Sequence, residues 1–277
     1  MLALPAHGFF SNSAIRSAFK SITAANGVKW PVILPSVRGK TLQECPHYND
    51  TVSFPKYYRQ DFHAYDGGNL NPVAAVEVMA ATEGVMSFHY PDKSGAEANE
   101  HVREQFSMQT RRQLEMNEDT FRPETVVDIG CGIGISTNFL SKTCPSARAV
   151  YGLDLSPYFL DYAVRTIPIV YIHRDAAHTH LFSNSVDLVS ISYVFHELPL
   201  HAAKEVLREC HRILKPGGVL AVMDMHPNIR ASGGILQRIF DRTEPYIRDY
   251  AEFCHYRNDI FWNSGFEMPR TVDECDR

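Results

Sequence analysis

The 277-residue chain is short of several features whose absence narrows its function. No apolar run approaches the roughly 18 uninterrupted residues that a membrane-spanning helix needs. No long apolar core follows a basic start, so a secretory signal is not expected. The six cysteines, Cys45, Cys131, Cys144, Cys210, Cys254 and Cys275, are scattered without a C-x-x-C pair. That spacing argues against a disulfide framework and a structural zinc site, and it suits a reducing compartment. A basic excess is also missing, since 27 Lys and Arg stand against 32 Asp and Glu for a formal charge of -5. With no overall positive field to gather phosphate backbones, nucleic acid is a poor partner.

Acidic residues are absent from the first 43 positions, where Arg16, Lys20, Lys29, Arg38 and Lys40 stand among scattered serines. Two readings fit. One is an organellar transit segment. The other is a helix from Asn12 to Ala25, whose Ile15, Phe19 and Ile22 recur at helical spacing and would pack on the main domain. Both are compatible with an intracellular protein of the cytoplasm, plastid or mitochondrion. Histidine is plentiful at 13 residues, but His173, His178 and His180 fall in what reads as a loop without a matching carboxylate or thiolate cluster. They read as ordinary surface residues, and no metal site is expected.

What is present is a chain long enough for a substantial core, 44% apolar and 21% charged. From about Glu124, β-branched runs alternate with amphipathic stretches, the pattern of a parallel sheet wound with helices. The predicted strands are Thr125 to Ile129, Ala149 to Leu153, Ile169 to Ile172, Val186 to Ser192 and Val219 to Met225. Ser156-Pro157 opens a helix through about Arg165. A second helix, Pro199 to Leu214, is stopped by Pro216-Gly217-Gly218. The region before residue 120 differs: 54–70 (FPKYYRQDFHAYDGGNL) packs five aromatics and a histidine into 17 residues. After it, Asn71-Pro72 caps a helix that Gly84 is expected to end, and another runs from about Ala96 to Glu118 with Val102 and Phe106 on one face. Residues 1–120 read as a helical extension or lid, and 121–277 as the main domain.

The stretch Val126 to Phe139 (VVDIGCGIGISTNF) joins a strand to a glycine turn and a helix start. Its glycines fall as Gly130-x-Gly132-x-Gly134, and the sixth place of the dinucleotide pattern G-x-G-x-x-G holds Ile135. A nicotinamide-dependent dehydrogenase therefore fits poorly. Asp128 sits at the strand end, and Asp154 ends the next strand, where a carboxylate can accept bonds from both ribose hydroxyls. The D-x-G-x-G-x-G arrangement resembles motif I of class I S-adenosylmethionine-dependent methyltransferases. RILKPGG at 212–218 extends the resemblance to their small-molecule type 11 branch over about residues 120 to 225. YYRQDFHAYDGGNL and AVMDMHP resemble a poorly characterised subgroup of photosynthetic bacteria, algae and plants, in which the acid-poor N-terminus would belong to the fold.

The resemblance implies a Rossmann-like doubly wound sheet, mostly parallel, and S-adenosylmethionine as cofactor. It places the cofactor against Asp128, Gly130, Cys131, Gly132, Gly134, Asp154, Leu155, Asp175, Ala176 and Ser192, with Asp175 at the adenine amino group. It also implies two final strands, yet Gly265-Phe266 is followed by only the eleven residues 267–277. Eleven residues suffice for one additional strand, so either the sheet has six strands or the chain is truncated; the expectation taken is truncation or an aberrant gene model, leaving the sheet without its final edge strand. In the loop that would face the methyl group, Phe195-His196-Glu197-Leu198-Pro199, His196 is the candidate base; its alternative is a cap or wall residue.

That loop lacks the N/D-P-P-Y/F sequence of amino-group methyltransferases of nucleic acids and some proteins. Tyr58, Phe62, His63, Tyr65 and His226 are candidates for the acceptor site, against plain core packing. An aromatic lid suits a small apolar or ring-containing acceptor. The competing functions are a non-catalytic cofactor-binding module and a protein or RNA methyltransferase. Oligomeric state is not legible.

Overall fold

The computed structural model describes residues 11–117, 122–166, 169–226 and 235–270. Helix α1 (Asn12–Ala25) forms over the span its periodicity predicts and opens on Ser11, whose side chain accepts from the Ala14 N–H. A single turn, α2 (Pro35–Arg38), follows. Helix α3 (Pro72–His89) starts as expected at Asn71, which accepts from the Val73 N–H at 2.9 Å. It does not stop at Gly84. That glycine lies where α1 crosses, and a Cβ there would stand 2.9 Å from Thr23 Cγ2 and 3.0 Å from Phe19 Cζ. It therefore allows close helix packing rather than ending the helix. Helix α4 (Gly95–Asn117) begins in a reciprocal cap, with the Ser94 N–H on Glu97 Oε2 and the Glu97 N–H on Ser94 Oγ.

The main sheet is built from β1 (Thr125–Ile129), β2 (Ala149–Asp154), β3 (Val170–His173), β4 (Val186–Ser192) and β5 (Leu214–Met223). All neighbours pair in parallel, in the order β3-β2-β1-β4-β5. The intervening helices are α5 (Ile135–Thr143), α6 (Pro157–Thr166) and α7 (Leu200–Ile213), and α8 (Ile235–Thr243), α9 (Ile247–His255) and α10 (Arg257–Asn263) follow β5. Alternation along β1 divides the core. Val127 and Ile129 pack with Val206 and Leu207 of α7 and Phe253 of α9, while Val126 packs with Leu114 of α4 and Leu140 of α5. The sheet is thus covered on both faces, as a parallel sheet requires.

Three sequence expectations need correction. Strand β5 begins at Leu214, not Val219: Leu214 pairs with Val186, and a register shift then sets Val219 opposite Leu188. Pro216-Gly217-Gly218 is therefore an irregularity within the strand and not a stop before it. His173 is the last residue of β3 and only 2% exposed, not a surface loop residue. Its Nδ1 accepts from the Asn49 N–H at 3.1 Å and its other nitrogen meets the Leu155 carbonyl at 3.0 Å, tying residue 49 to the strand ends. His178 and His180 are exposed as expected. The additional strand after Gly265-Phe266 is not formed over 267–270, and 271–277, with Cys275, lie outside the described residues. The other five cysteines are buried and form no disulfide. Among the described residues, no helix is long and apolar enough to cross a membrane.

Candidate active site

In an open parallel sheet, ligands lie beyond the carboxyl ends of the strands where the strand order reverses, here between β1 and β4. The chain leaving β1 is pinned by bonds from the Gly130 and Cys131 N–H groups to the Leu153 carbonyl, at 2.8 and 3.0 Å. The turn's glycines then serve different ends. Gly134, with φ 81°, precedes α5, and a Cβ on it would overlap the Tyr171 hydroxyl, so its demand comes from the fold. Gly132, with φ 54°, has only Phe159 Cδ1 near a would-be Cβ, at 3.6 Å. Its open side faces the cavity.

Asp154 joins the turn to the next loop: Oδ2 accepts from the Gly132 N–H at 2.8 Å and Oδ1 from the Ser156 N–H at 2.7 Å. Burial outweighs these bonds and raises its pKa to about 6. Asp128 is fully buried beneath the turn. Its Oδ2 accepts the Ser136 and Thr137 hydroxyls at 2.7 Å each, whereas Oδ1 is buried without a partner. Burial raises this carboxyl to about 6 as well, opposed by the two hydroxyls. Ser192 Oγ is a second orphaned buried atom. Nearby, Arg103 of α4 is 8% exposed, bonded through Nε to Asn99 and set over the Tyr193 ring.

Gly130, Cys131, Gly132, Asp154, Leu155, Asp175, Ala176 and Ser192 line one cavity of about 1680 Å3, with Asp128 and Gly134 standing behind its wall. That exceeds the roughly 300–1,000 Å3 usual for one ligand, leaving room for two. Asp175 keeps its loop in shape by accepting from the Ala177 N–H at 2.9 Å.

The other end of the cavity holds a cluster of acids and histidines. Asp224, just past β5, accepts the Phe195 N–H at 2.8 Å on one oxygen and meets His196 Nδ1 at 2.7 Å with the other. His196 is 6% exposed; burial depresses its pKa, but Asp224 more than reverses this and raises it. His63 and Ala64 turn the chain between Phe62 and Tyr65 with φ 51° and 62°. That geometry costs a residue other than glycine about 1–2 kcal/mol. It is retained where Glu244 meets His63 Nδ1 and Glu197 meets Nε2, both at 2.8 Å. Burial works against charge on this ring, yet Glu244 and Glu197 raise its pKa to about 10, so it is an imidazolium at neutral pH. In turn, His63 holds Glu197 below the usual carboxylate range despite burial. Asn69 donates to the other Glu197 oxygen at 2.7 Å, and the Asn69 carbonyl accepts the Ser156 hydroxyl at 2.6 Å. The aromatic segment is thereby bonded both to the β2–α6 loop and to the loop after β4.

Tyr58, Phe62, His63, Tyr65 and His226 all line this cavity with His196. Tyr65, however, turns its hydroxyl to buried Glu77 of α3 at 2.7 Å, and Glu77 also pairs with Lys20 of α1. Its visible task is to join helices. Sequence reasoning missed Glu197, Asp224, Glu244 and Asn69. Glu197 adjoins His196, and Asp224 lies within AVMDMHP, so both were within reach; Glu244 stands 181 residues from His63 with no local sign.

A family model described as a methyltransferase domain matches residues 127–222. Over these residues the chain is similar to a methyltransferase domain, and the glycine turn, strand order and carboxylates described above agree with the class I, S-adenosylmethionine-dependent type. An uncharacterized methyltransferase of Synechocystis is 34% identical over 104 residues, covering 37% of this chain and 48% of that protein. A trans-aconitate 2-methyltransferase of Methylobacterium nodulans is 34% identical over 154 residues, covering 55% of this chain and 58% of that protein. The chain thus spans about half the length of the curated relatives it matches. A solved structure of a candidate O-methyltransferase from Nostoc punctiforme shares the fold, with TM-score 0.51, 16% identity, 75% of this chain and 58% of that one.

The cofactor of the methyltransferase domain, S-adenosylmethionine, fits what the turn offers. Space opens at Gly132, Asp154 keeps unused lone pairs on both oxygens, and Ser192 Oγ lacks a partner.

Proposed function

We propose that this protein transfers a methyl group from S-adenosylmethionine to a small, ring-containing acceptor whose proton is removed by His196. The observation that carries the reading is the His196–Asp224 pair on the wall of the cavity that also contains Gly132 and Asp154. When bound, the cofactor supplies an electrophilic methyl group on a sulfonium, a leaving group that needs no acid. Asp154 would hold the ribose and Asp175 the adenine, with Ser192 and Arg103 at the amino-acid end.

Asp224 accepts the Nδ1 proton of His196 and so leaves Nε2 as the basic nitrogen. An acceptor O–H loses its proton to that nitrogen as its oxygen takes the methyl group. A placed base contributes about 10²–10⁴ in rate, and holding both reactants in line removes about 7–11 kcal/mol from the barrier.

The aromatic wall of Tyr57, Tyr58, Phe62 and Tyr250 favours a ring in the acceptor. Glu197, Asp224 and Glu244 make this end of the cavity acidic, which disfavours a carboxylate acceptor. Among relatives named for trans-aconitate, malonyl-[acyl-carrier protein] and demethylmenaquinone, the last names the acceptor chemistry closest to this wall. The buried thiols, none of them in a disulfide among the described residues, suit the reducing interior of a cell, cytoplasm or organelle.

Calorimetric titration with S-adenosylmethionine, S-adenosylhomocysteine and NAD tests the cofactor, and NAD binding alone overturns the reading. Methyl-labelled cofactor incubated with fractionated cell extract tests the acceptor. Label is expected in small molecules; label in protein or RNA goes against the proposal, and binding without any transfer leaves a non-catalytic cofactor-binding module.

A further inference from the structure

His63, His196 and Glu197 each offer one ligand atom, and these atoms all lie within 4.8 Å of one another. His173, His178 and His180, the histidines that stand close together in the sequence, take no part in this group. We infer that His63, His196 and Glu197 form a site for one divalent transition-metal ion of the zinc, cobalt or iron type. Two imidazoles and one carboxylate with open positions suit such ions, whereas calcium and magnesium prefer all-oxygen sites.

Two independent features support the site. The first is the arrangement behind the ligands. Metal-bound histidines commonly place their second ring nitrogen on a carboxylate, which fixes the ring and strengthens the ligand. Both histidines do so here: Glu244 meets His63 Nδ1 at 2.8 Å and Asp224 meets His196 Nδ1 at 2.7 Å, with side chains only 1% and 6% exposed. The Asn69 amide orients Glu197 in the same way. The second is spacing. Ligand bonds of about 2.0–2.2 Å put adjacent ligand atoms about 3 Å apart, and His63 Nε2 and Glu197 Oε1 already stand at 2.8 Å. A cation entering there takes the place of the proton between them, so binding releases a proton. It also balances three carboxylates drawn around two imidazoles.

The binding claim stands apart from the methyltransferase reading; only its kinetic consequence rests on that reading. With Nδ1 on Asp224, His196 has one nitrogen for either a cation or the acceptor's proton. Bound metal is therefore expected to suppress transfer by the base route.

The test uses the full chain, stripped with EDTA and titrated with Zn2+ and Co2+ without cofactor. One ion per chain is expected, together with the visible absorption of Co2+ in a nitrogen and oxygen site. Glu197→Gln and Glu244→Gln are each expected to weaken binding about 10–100-fold, and His178→Ala with His180→Ala to leave it unchanged. Because the strained turn at His63 makes substitutions there risky for folding, Glu197→Gln and the wild-type Co2+ spectrum carry the test. Absence of a stoichiometric ion, unaltered binding in Glu197→Gln, or loss on removing His178 and His180 overturns the proposal. Co2+ that binds here and accelerates transfer leaves the site standing and refutes His196 as base. No ion bound, with transfer lost in His196→Gln, does the reverse.

Discussion

Alanine at Gly132 and at Gly134 should produce opposite defects, although the glycines are two residues apart. Both have positive φ, which costs an alanine about 1–2 kcal/mol. At position 132 little else is lost from the fold, because the nearest atom to a new Cβ is Phe159 Cδ1 at 3.6 Å. With about 2–4 °C of Tm per kcal/mol in a chain of this size class, Gly132→Ala should melt roughly 2–8 °C early. At position 134 the Cβ overlaps the hydroxyl of Tyr171, which is 4% exposed and cannot withdraw into solvent. Overpacking adds about 1–3 kcal/mol, so the total for Gly134→Ala is about 2–5 kcal/mol and its Tm loss is the larger.

Binding should rank the other way. A methyl group at 132 occupies the space where cofactor would lie, and about 1–3 kcal/mol of steric cost corresponds to roughly a fivefold to 150-fold weaker Kd. Gly134 stands behind the wall, so whatever fraction of Gly134→Ala folds should bind nearly normally. Thermal melts combined with titration by S-adenosylhomocysteine separate the two. Wild-type affinity in Gly132→Ala would refute the reasoning, as would equal melting of the two variants.

Three further outcomes are expected. Asp128 and Asp154 both have pKa values raised to about 6 in the free protein. Their protonated forms therefore favour folding, and this contribution is lost as pH rises through about 4 to 6. A cationic ligand favours the ionised forms, so S-adenosylmethionine affinity should rise from pH 5 to 7 by up to about tenfold per pH unit for each carboxyl that ionises on binding; a flat calorimetric profile would contradict this. His196→Gln and Asp224→Asn should lower turnover by about 10²–10⁴ while leaving cofactor Kd within about twofold, which single-turnover rates and titration can separate. Gly84→Ala should lower Tm despite alanine's helix preference of about 1 kcal/mol, because the added methyl presses on Thr23 and Phe19 of α1; an increase in Tm would mean that the crossing relaxes freely.

The glycine turn and its carboxylates were legible because their requirements are local. A strand that turns at once into a helix needs positive φ at fixed steps, and Asp154 meets Gly132 and Ser156 across loops that start at strand ends. The helix cap at Asn71 is local too, and it was readable. Gly84 misled because a glycine that ends a helix and one that admits a neighbouring helix look alike in one dimension. His173 misled because β3 extends by one residue, moving a polar side chain from loop to core.

The catalytic-side cluster was illegible for a different reason. His63, Asn69, Glu197, Asp224 and Glu244 come from four separated stretches of chain, and nothing in their spacing records that they meet. Their meeting depends on packing: α3 and α6 contact the turn at 68–70 that closes the aromatic segment, and the Thr243 carbonyl accepts the His63 N–H at 3.1 Å. A buried carboxylate without a partner would cost several kcal/mol, so each acid there requires the others' positions to be held. The cofactor end can therefore be specified by one turn and one strand end, while the acceptor end is specified only by the whole fold. Substitutions in 54–70 or near Glu244 should accordingly change acceptor chemistry well before they disturb the glycine turn.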